Sequence, residues 1–152
     1  MANIAHPRLH GEPVIRTHDP VYQAYQILHC GFAVLPVLAG VDKFLHLLVN
    51  WDQYLAPPIA RVLGRGAGSF MLFVGAIEIA AGVIVAVWPK AGAYIVAGWL
   101  GAIIVNLLMT GQYFDIALRD FGLYLGALAL GRLSTAYDRP VREPFTRKGY
   151  DR

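Results

Sequence analysis

The chain carries a single cysteine, Cys30, in 152 residues. No internal disulfide can form, no C-x-x-C is present to exchange disulfides or hold zinc, and the four-helix membrane enzymes that work through a dithiol are excluded. Charge is scarce as well: Asp, Glu, Lys and Arg make up 15% of the chain, against roughly 25% in an ordinary soluble domain. Stretches of alternating polarity about ten residues long, the mark of a membrane β-barrel, are missing. An apolar core near the start is missing too. The first 20 residues, "MANIAHPRLHGEPVIRTHDP", contain three prolines and read as a polar tail, not as a signal peptide.

What the sequence has instead is apolar length, with 57% hydrophobic residues. Windows of roughly 20 residues, enough to cross a bilayer, fall at Tyr22–Val49, Ser69–Trp88, Gly92–Gly111 and Ile116–Ala136. The expectation is an all-α integral membrane four-helix bundle over residues 21–137, with polar tails at 1–20 and 138–152. The first helix then acts as its own insertion signal.

Four spans put both termini and the loop between the second and third helices on one side. That side holds Arg8, Arg16, Lys90, Arg132, Arg139, Arg142, Arg147, Lys148 and Arg152, against Arg61, Arg65 and Arg119 opposite. By the positive-inside rule the termini are expected in the cytoplasm and the chain in a bacterial inner membrane. The basic tail "RPVREPFTRKGYDR" reads as a headgroup-facing segment. It is a natural place for another subunit to dock, and it does not suggest nucleic-acid binding.

In this orientation the polar residues of all four helices fall at one level, in the outer half. The first helix contributes Asp42, Lys43 and His46, the second Glu78, the third Asn106, and the fourth Asp115, Arg119 and Asp120. At about 100° per residue, Asp42, His46 and Asn50 share one face. Glu78 shares its face with Gly75 and Gly82; Gly98, Ala102 and Asn106 form a stripe on the third helix, and Asp115, Arg119, Gly122 and Gly126 one on the fourth. Small residues let membrane helices approach closely, so these stripes are expected to face inward.

A charge at mid-bilayer costs about 2.5–3.5 kcal/mol on insertion scales, so each such group should be paired, neutral or wet. Asp42, Glu78 and Asp120 against Lys43 and Arg119 leave one acid in excess. Glu78, the deepest, is expected to carry the extra proton, with the imidazole of His46 as its exchange partner. The bland alternative is a salt-bridge network of Asp42, Lys43 and Arg119 that pins the first helix to the fourth. Trp99, inside the third helix, is a candidate lining for an apolar ligand slot. The remaining aromatics, including Trp51 and Tyr54, fall near helix ends, as an interfacial belt would. The stretch "LAPPIARVLGRGAGS" reads as an outer re-entrant or surface-lying segment, placed to lid the polar cluster.

His29 and His46 are roughly 25 Å apart at 1.5 Å rise per residue, so they cannot share a metal or haem. His6, His10 and His18 lie on the tail without metal-site spacing. No metal and no intrinsic cofactor is expected. Pro36 removes a backbone bond and kinks the first helix, which either opens a lateral gap or, the preferred reading, improves packing.

"VLPVLAGVDKFLH", "FVGAIEIAAGVIVAV" and "FDIALRDFGLYLGALALGRLS" resemble the DoxX family of four-helix bacterial membrane proteins over about Ile27 to Tyr137. The matching positions are Lys43, Glu78 and Arg119 with Asp120. The chain departs from the pattern in Asp42, His46, "NWDQYLAP" and its long tails. The resemblance implies a small subunit associated with membrane redox enzymes; the name-giving members of the family belong to a thiosulfate:quinone oxidoreductase.

Two functions follow as expectations. One is a subunit of a quinone-linked redox system, with Glu78 and His46 as a proton relay and Asp42, Lys43, Asn106, Arg119, Asp120 and Trp99 around a bound quinone or lipid. The other is a non-catalytic accessory or assembly subunit that packs against a larger respiratory or photosynthetic complex through its tails. Membrane lipids and other protein subunits are the expected partners, and a homo-oligomer stays open. A pore within one four-helix chain has no room.

Overall fold

The computed structural model describes residues 19–137, and the two tails, with His6, His10, His18 and the basic C-terminal residues, lie outside the described residues. Among the described residues the chain is all-α, with helices α1 (Pro20–Leu45), α2 (Pro57–Leu63), α3 (Ala67–Val87), α4 (Pro89–Thr110) and α5 (Phe114–Tyr137). Short 3-10 turns at Trp51–Tyr54 and Gly64–Gly66 flank α2.

Local chemistry sets most of these boundaries. Asp19 caps α1, accepting from the Val21 amide at 2.9 Å, and Pro20 follows at the position where a missing N–H costs nothing. Pro89 likewise opens α4 two residues after α3 ends at Val87, and Gly111, at φ 71°, takes the left-handed turn that ends α4.

The first helix ends four residues before the expected Val49. His46 adopts φ 52° and donates its amide to the Asp42 carbonyl, closing α1 at Leu45. The Asp42 carboxylate then accepts from the amides of Leu47 and Leu48, each at 3.0 Å, and turns the chain aside. Leu47 and Leu48, which extend the apolar run, are exposed loop residues.

The four long helices form a ring in the order α1, α3, α4, α5. The α1/α3 and α4/α5 pairs pack most extensively, α3/α4 and α1/α5 less so, and α1 and α4 face each other across the middle. Glycine explains the first tight seam. A Cβ on Gly40 would sit 2.5 Å from the Gly75 carbonyl oxygen, and one on Gly82 2.7 Å from that of Ala33, so only hydrogen fits at this crossing. Gly75, Glu78 and Gly82 are all buried, as the expected α3 stripe requires. The α4 stripe differs: a Cβ on Gly98 would meet nothing within 4 Å.

The well-packed core occupies the end of the bundle near the chain termini, where Tyr25, Phe32, Val85, Val96, Ala127 and Leu130 meet. Tyr22, Tyr25, His29 and Tyr137 form a chain of ring contacts there, and the Tyr137 hydroxyl donates to Asp19 at 3.1 Å. His29 Nε2 donates to the Val85 carbonyl at 3.0 Å. That carbonyl would face residue 89 in a continued helix, and Pro89 has no N–H to offer, so the histidine fills the gap.

Outside, the surface is apolar. Three stretches, Pro20–Leu45, Pro57–Val87 and Pro89–Thr110, are long and apolar enough to cross a membrane, and no more than 33% of their most apolar windows is buried within the molecule. The fourth expected span differs: α5 has the length, but Asp115, Arg119, Asp120 and Arg132 keep it out of that group.

Candidate functional site

Towards the other end, away from the aromatic core, the ring opens into a cavity of about 700 Å³. Its walls are mainly apolar: Phe32, Leu35 and Pro36 of α1, Phe70, Met71 and Val74 of α3, Ile103 of α4 and Leu123 of α5. Pro36 therefore lines a space. Leu35 and Leu123 line the cavity and are also exposed, so it reaches the surface of the bundle between α1 and α5.

The polar lining consists of Lys43, Glu78, Trp51, Tyr54, Trp99, Asn106, Arg119 and Asp120. The expected meeting of polar groups from four helices therefore takes place. Its internal pairing differs from expectation. Lys43 Nζ donates to Glu78 Oε2 at 2.6 Å, with both side chains under 10% exposed. The Lys43 ammonium also stands 3.7 Å from the Trp51 ring centroid, a cation–π contact in a desolvated setting. Glu78 thus has an ion partner, and the carboxyl left over in the cavity is Asp120. It is half-buried and makes no hydrogen bond or ion pair among the described residues, although it lies within electrostatic reach of Arg119, Glu78 and Lys43.

The salt-bridge network expected between α1 and α5 is not formed. Asp42 is buried, but it is spent on the loop: Oδ1 takes the Leu47 and Leu48 amides, and Oδ2 takes the Trp51 indole N–H at 2.7 Å. Arg119 pairs with Asp115 at 3.1 Å on the surface, both side chains more than 70% exposed. The buried face of α5 runs through Ala117, Ala127, Leu130, Gly131 and Ser134. Asp120, one residue and about 100° on from Arg119, turns inward where the expected Asp115–Arg119 stripe does not. His46 is exposed at the end of α1, and Glu78 bonds to Lys43 in its place.

A cover closes the polar end. Asn106 reaches from α4 to the α1–α2 linker, donating to the Tyr54 carbonyl at 2.7 Å and accepting from the Ala56 amide at 2.9 Å. Ala56 is fully buried, and Tyr54 packs edge-on against Tyr113 with centroids 4.8 Å apart. Val49, Trp51, Tyr54, Leu55 and Ile59 all face the cavity. The expected lid is thus real, and it begins earlier in the chain, at Val49. Trp51 is the site residue that sequence reasoning placed in an interfacial belt. The available signal was its spacing from Asp42, across a loop just long enough to fold back.

Trp99 lines the cavity as expected, and one of its features matters more than its size. Its indole Nε1 is buried and has no hydrogen-bond partner among the described residues. An unmade bond at a buried donor costs about 1–3 kcal/mol, so this N–H marks a place where an acceptor from outside the chain would be stabilising. Among the described residues no three His, Cys, Asp or Glu side chains gather closely enough to hold a metal ion.

No family model, curated protein or solved structure matches this chain.

Proposed function

We propose that the chain is a small four-helix membrane subunit of a quinone-linked redox system, and that its cavity holds the ring of a lipid-soluble quinone. The observation that carries this reading is the cavity itself: about 700 Å³, within the 300–1,000 Å³ usual for small-molecule sites, apolar in its walls and polar at one end. Its mouth between the exposed Leu35 and Leu123 would face acyl chains in a bilayer, so a ligand dissolved in lipid reaches it without crossing water.

Embedding all four long helices accounts for the charges of α5. Asp115 and Arg119 neutralise each other close to the helix start, and Phe121–Gly131 carries no charge. The excess of basic residues at the termini and at Lys90 supports cytoplasmic termini in a bacterial inner membrane, with the cover on the far side. The resemblance to the DoxX family at Lys43, Glu78, Arg119 and Asp120 supports the redox association. Reduction of a quinone takes up protons, and Lys43, Glu78 and Asp120 are the ionisable groups at the ring, with His46 one turn beyond Asp42 toward solvent.

Gentle extraction of the full chain from its native membrane, followed by solvent extraction and mass analysis of what it retains, tests this. A prenyl quinone in near-stoichiometric amount is expected, and it should be lost on Ala102→Phe, which fills the cavity. A chain that retains none, or retains it equally after the substitution, overturns the reading. Recovery only inside a larger complex, with the cavity empty, favours the accessory role.

A further inference from the structure

Two residues that line the cavity carry groups of opposite kind left unsatisfied among the described residues. Trp99 Nε1 is a buried donor without an acceptor. Asp120 is a carboxyl without a donor. The other charged and amide side chains there, and the Trp51 indole, already have partners: Lys43 with Glu78 and the Trp51 ring, Trp51 with Asp42, Asn106 with the linker backbone and Arg119 with Asp115; the Tyr54 hydroxyl, which can donate or accept, lines the same space. An occupant is therefore recognised by one acceptor and one donor.

We infer that the site selects a neutral ring bearing hydroxyl groups, so that it prefers the quinol to the quinone. This rests on the cavity holding a quinone-type ring and adds which redox form it takes. A quinone offers only carbonyl oxygens. One satisfies Trp99, but another set against Asp120 brings acceptor to acceptor. A hydroxyl both accepts and donates, so the reduced ring answers both groups.

Calorimetry on the full chain in lipid nanodiscs tests the inference with decylhydroquinone under anaerobic conditions, decylquinone, the dimethyl ether of the hydroquinone, lauric acid and dodecylamine. The hydroquinone is expected to bind about tenfold more tightly than the quinone or the ether, the worth of one unmade hydrogen bond. Asp120→Ala should erase that preference, and Trp99→Phe should weaken quinone and hydroquinone alike. Equal binding of hydroquinone, quinone and ether overturns the inference and leaves the cavity a quinone site. Tighter binding of lauric acid or dodecylamine overturns it in favour of a charged amphiphile, and no binding of any probe overturns the cavity reading with it. The ether comparison uses the unaltered chain, so it stands even if a variant fails to fold.

Discussion

Lys43 and Glu78, 35 residues apart in sequence, meet at 2.6 Å in the interior of the bundle, and each is the other's only ion partner among the described residues. The two charges are removed from solvent together, which makes the pair a unit.

The pair should respond to mutation as a unit. Glu78→Gln alone leaves the Lys43 ammonium buried and unpaired, and a loss of about 3–5 kcal/mol is expected. Lys43→Met with Glu78→Gln removes the stranded charge and should recover most of that loss. Unfolding of the unaltered chain and the two variants in detergent, followed by helical signal, gives the comparison. If Glu78→Gln alone is as stable as the unaltered chain, the pair does not hold the bundle.

Asn106 joins the cover to α4 through two backbone groups. Asn106→Leu should lower stability by about 1–3 kcal/mol and speed amide exchange at residues 50–56, with exchange in the core of α3 and α5 unchanged. Hydrogen exchange read by mass spectrometry resolves this. Uniform acceleration across the chain would show that Asn106 supports the whole bundle.

The α1/α3 seam leaves no room for a methyl group. Gly75→Ala places a Cβ 2.8 Å from the Gly40 carbonyl oxygen, backbone that cannot yield, and a cost of about 1–3 kcal/mol is expected. Gly98→Ala, with open space around it, should be neutral or slightly stabilising in the helix. Thermal melting of the two single variants side by side is the measurement.

His29→Phe keeps a ring against Tyr25 while removing the bond to the Val85 carbonyl. The orphaned acceptor should cost about 1–3 kcal/mol, and the loss should appear at the junction of α3 and α4. Amide exchange that quickens around Val85–Gly92 checks it, and no change there would assign the histidine to stacking alone.

Much of this was legible in the sequence, for reasons that particular residues make plain. The helices α3, α4 and α5 start and stop within three residues of their apolar windows, because Pro89 and Gly111 punctuate them. Glu78 between Gly75 and Gly82 pointed inward on spacing alone. The end of α1 was not legible, because apolar residues continue through Leu48 and the stop comes from a side chain, Asp42, bonding to amides five and six residues later. Periodicity cannot see such a contact.

Within the site, sequence identified the members and misassigned the partners. Lys43 and Asp42 are neighbours on α1, one aimed at α3 and the other at the linker, and nothing in their spacing says which takes Glu78. On α5 the glycines at 122 and 126 drew the expected face toward Arg119. The helix instead buries the face of Ala117, Ala127 and Leu130, which brings Asp120 inside. Trp99 was picked out for its bulk in mid-helix, whereas its unsatisfied N–H is a property of the folded surroundings only.

The bond from Tyr137 to Asp19 and the rings packed beside it join the first described residues to the last. With α1 and α3 locked by glycine and α4 mated to α5, the molecule is built like a clothes peg. The two arms are clamped together at the terminal end, and the cavity lies between them towards the other.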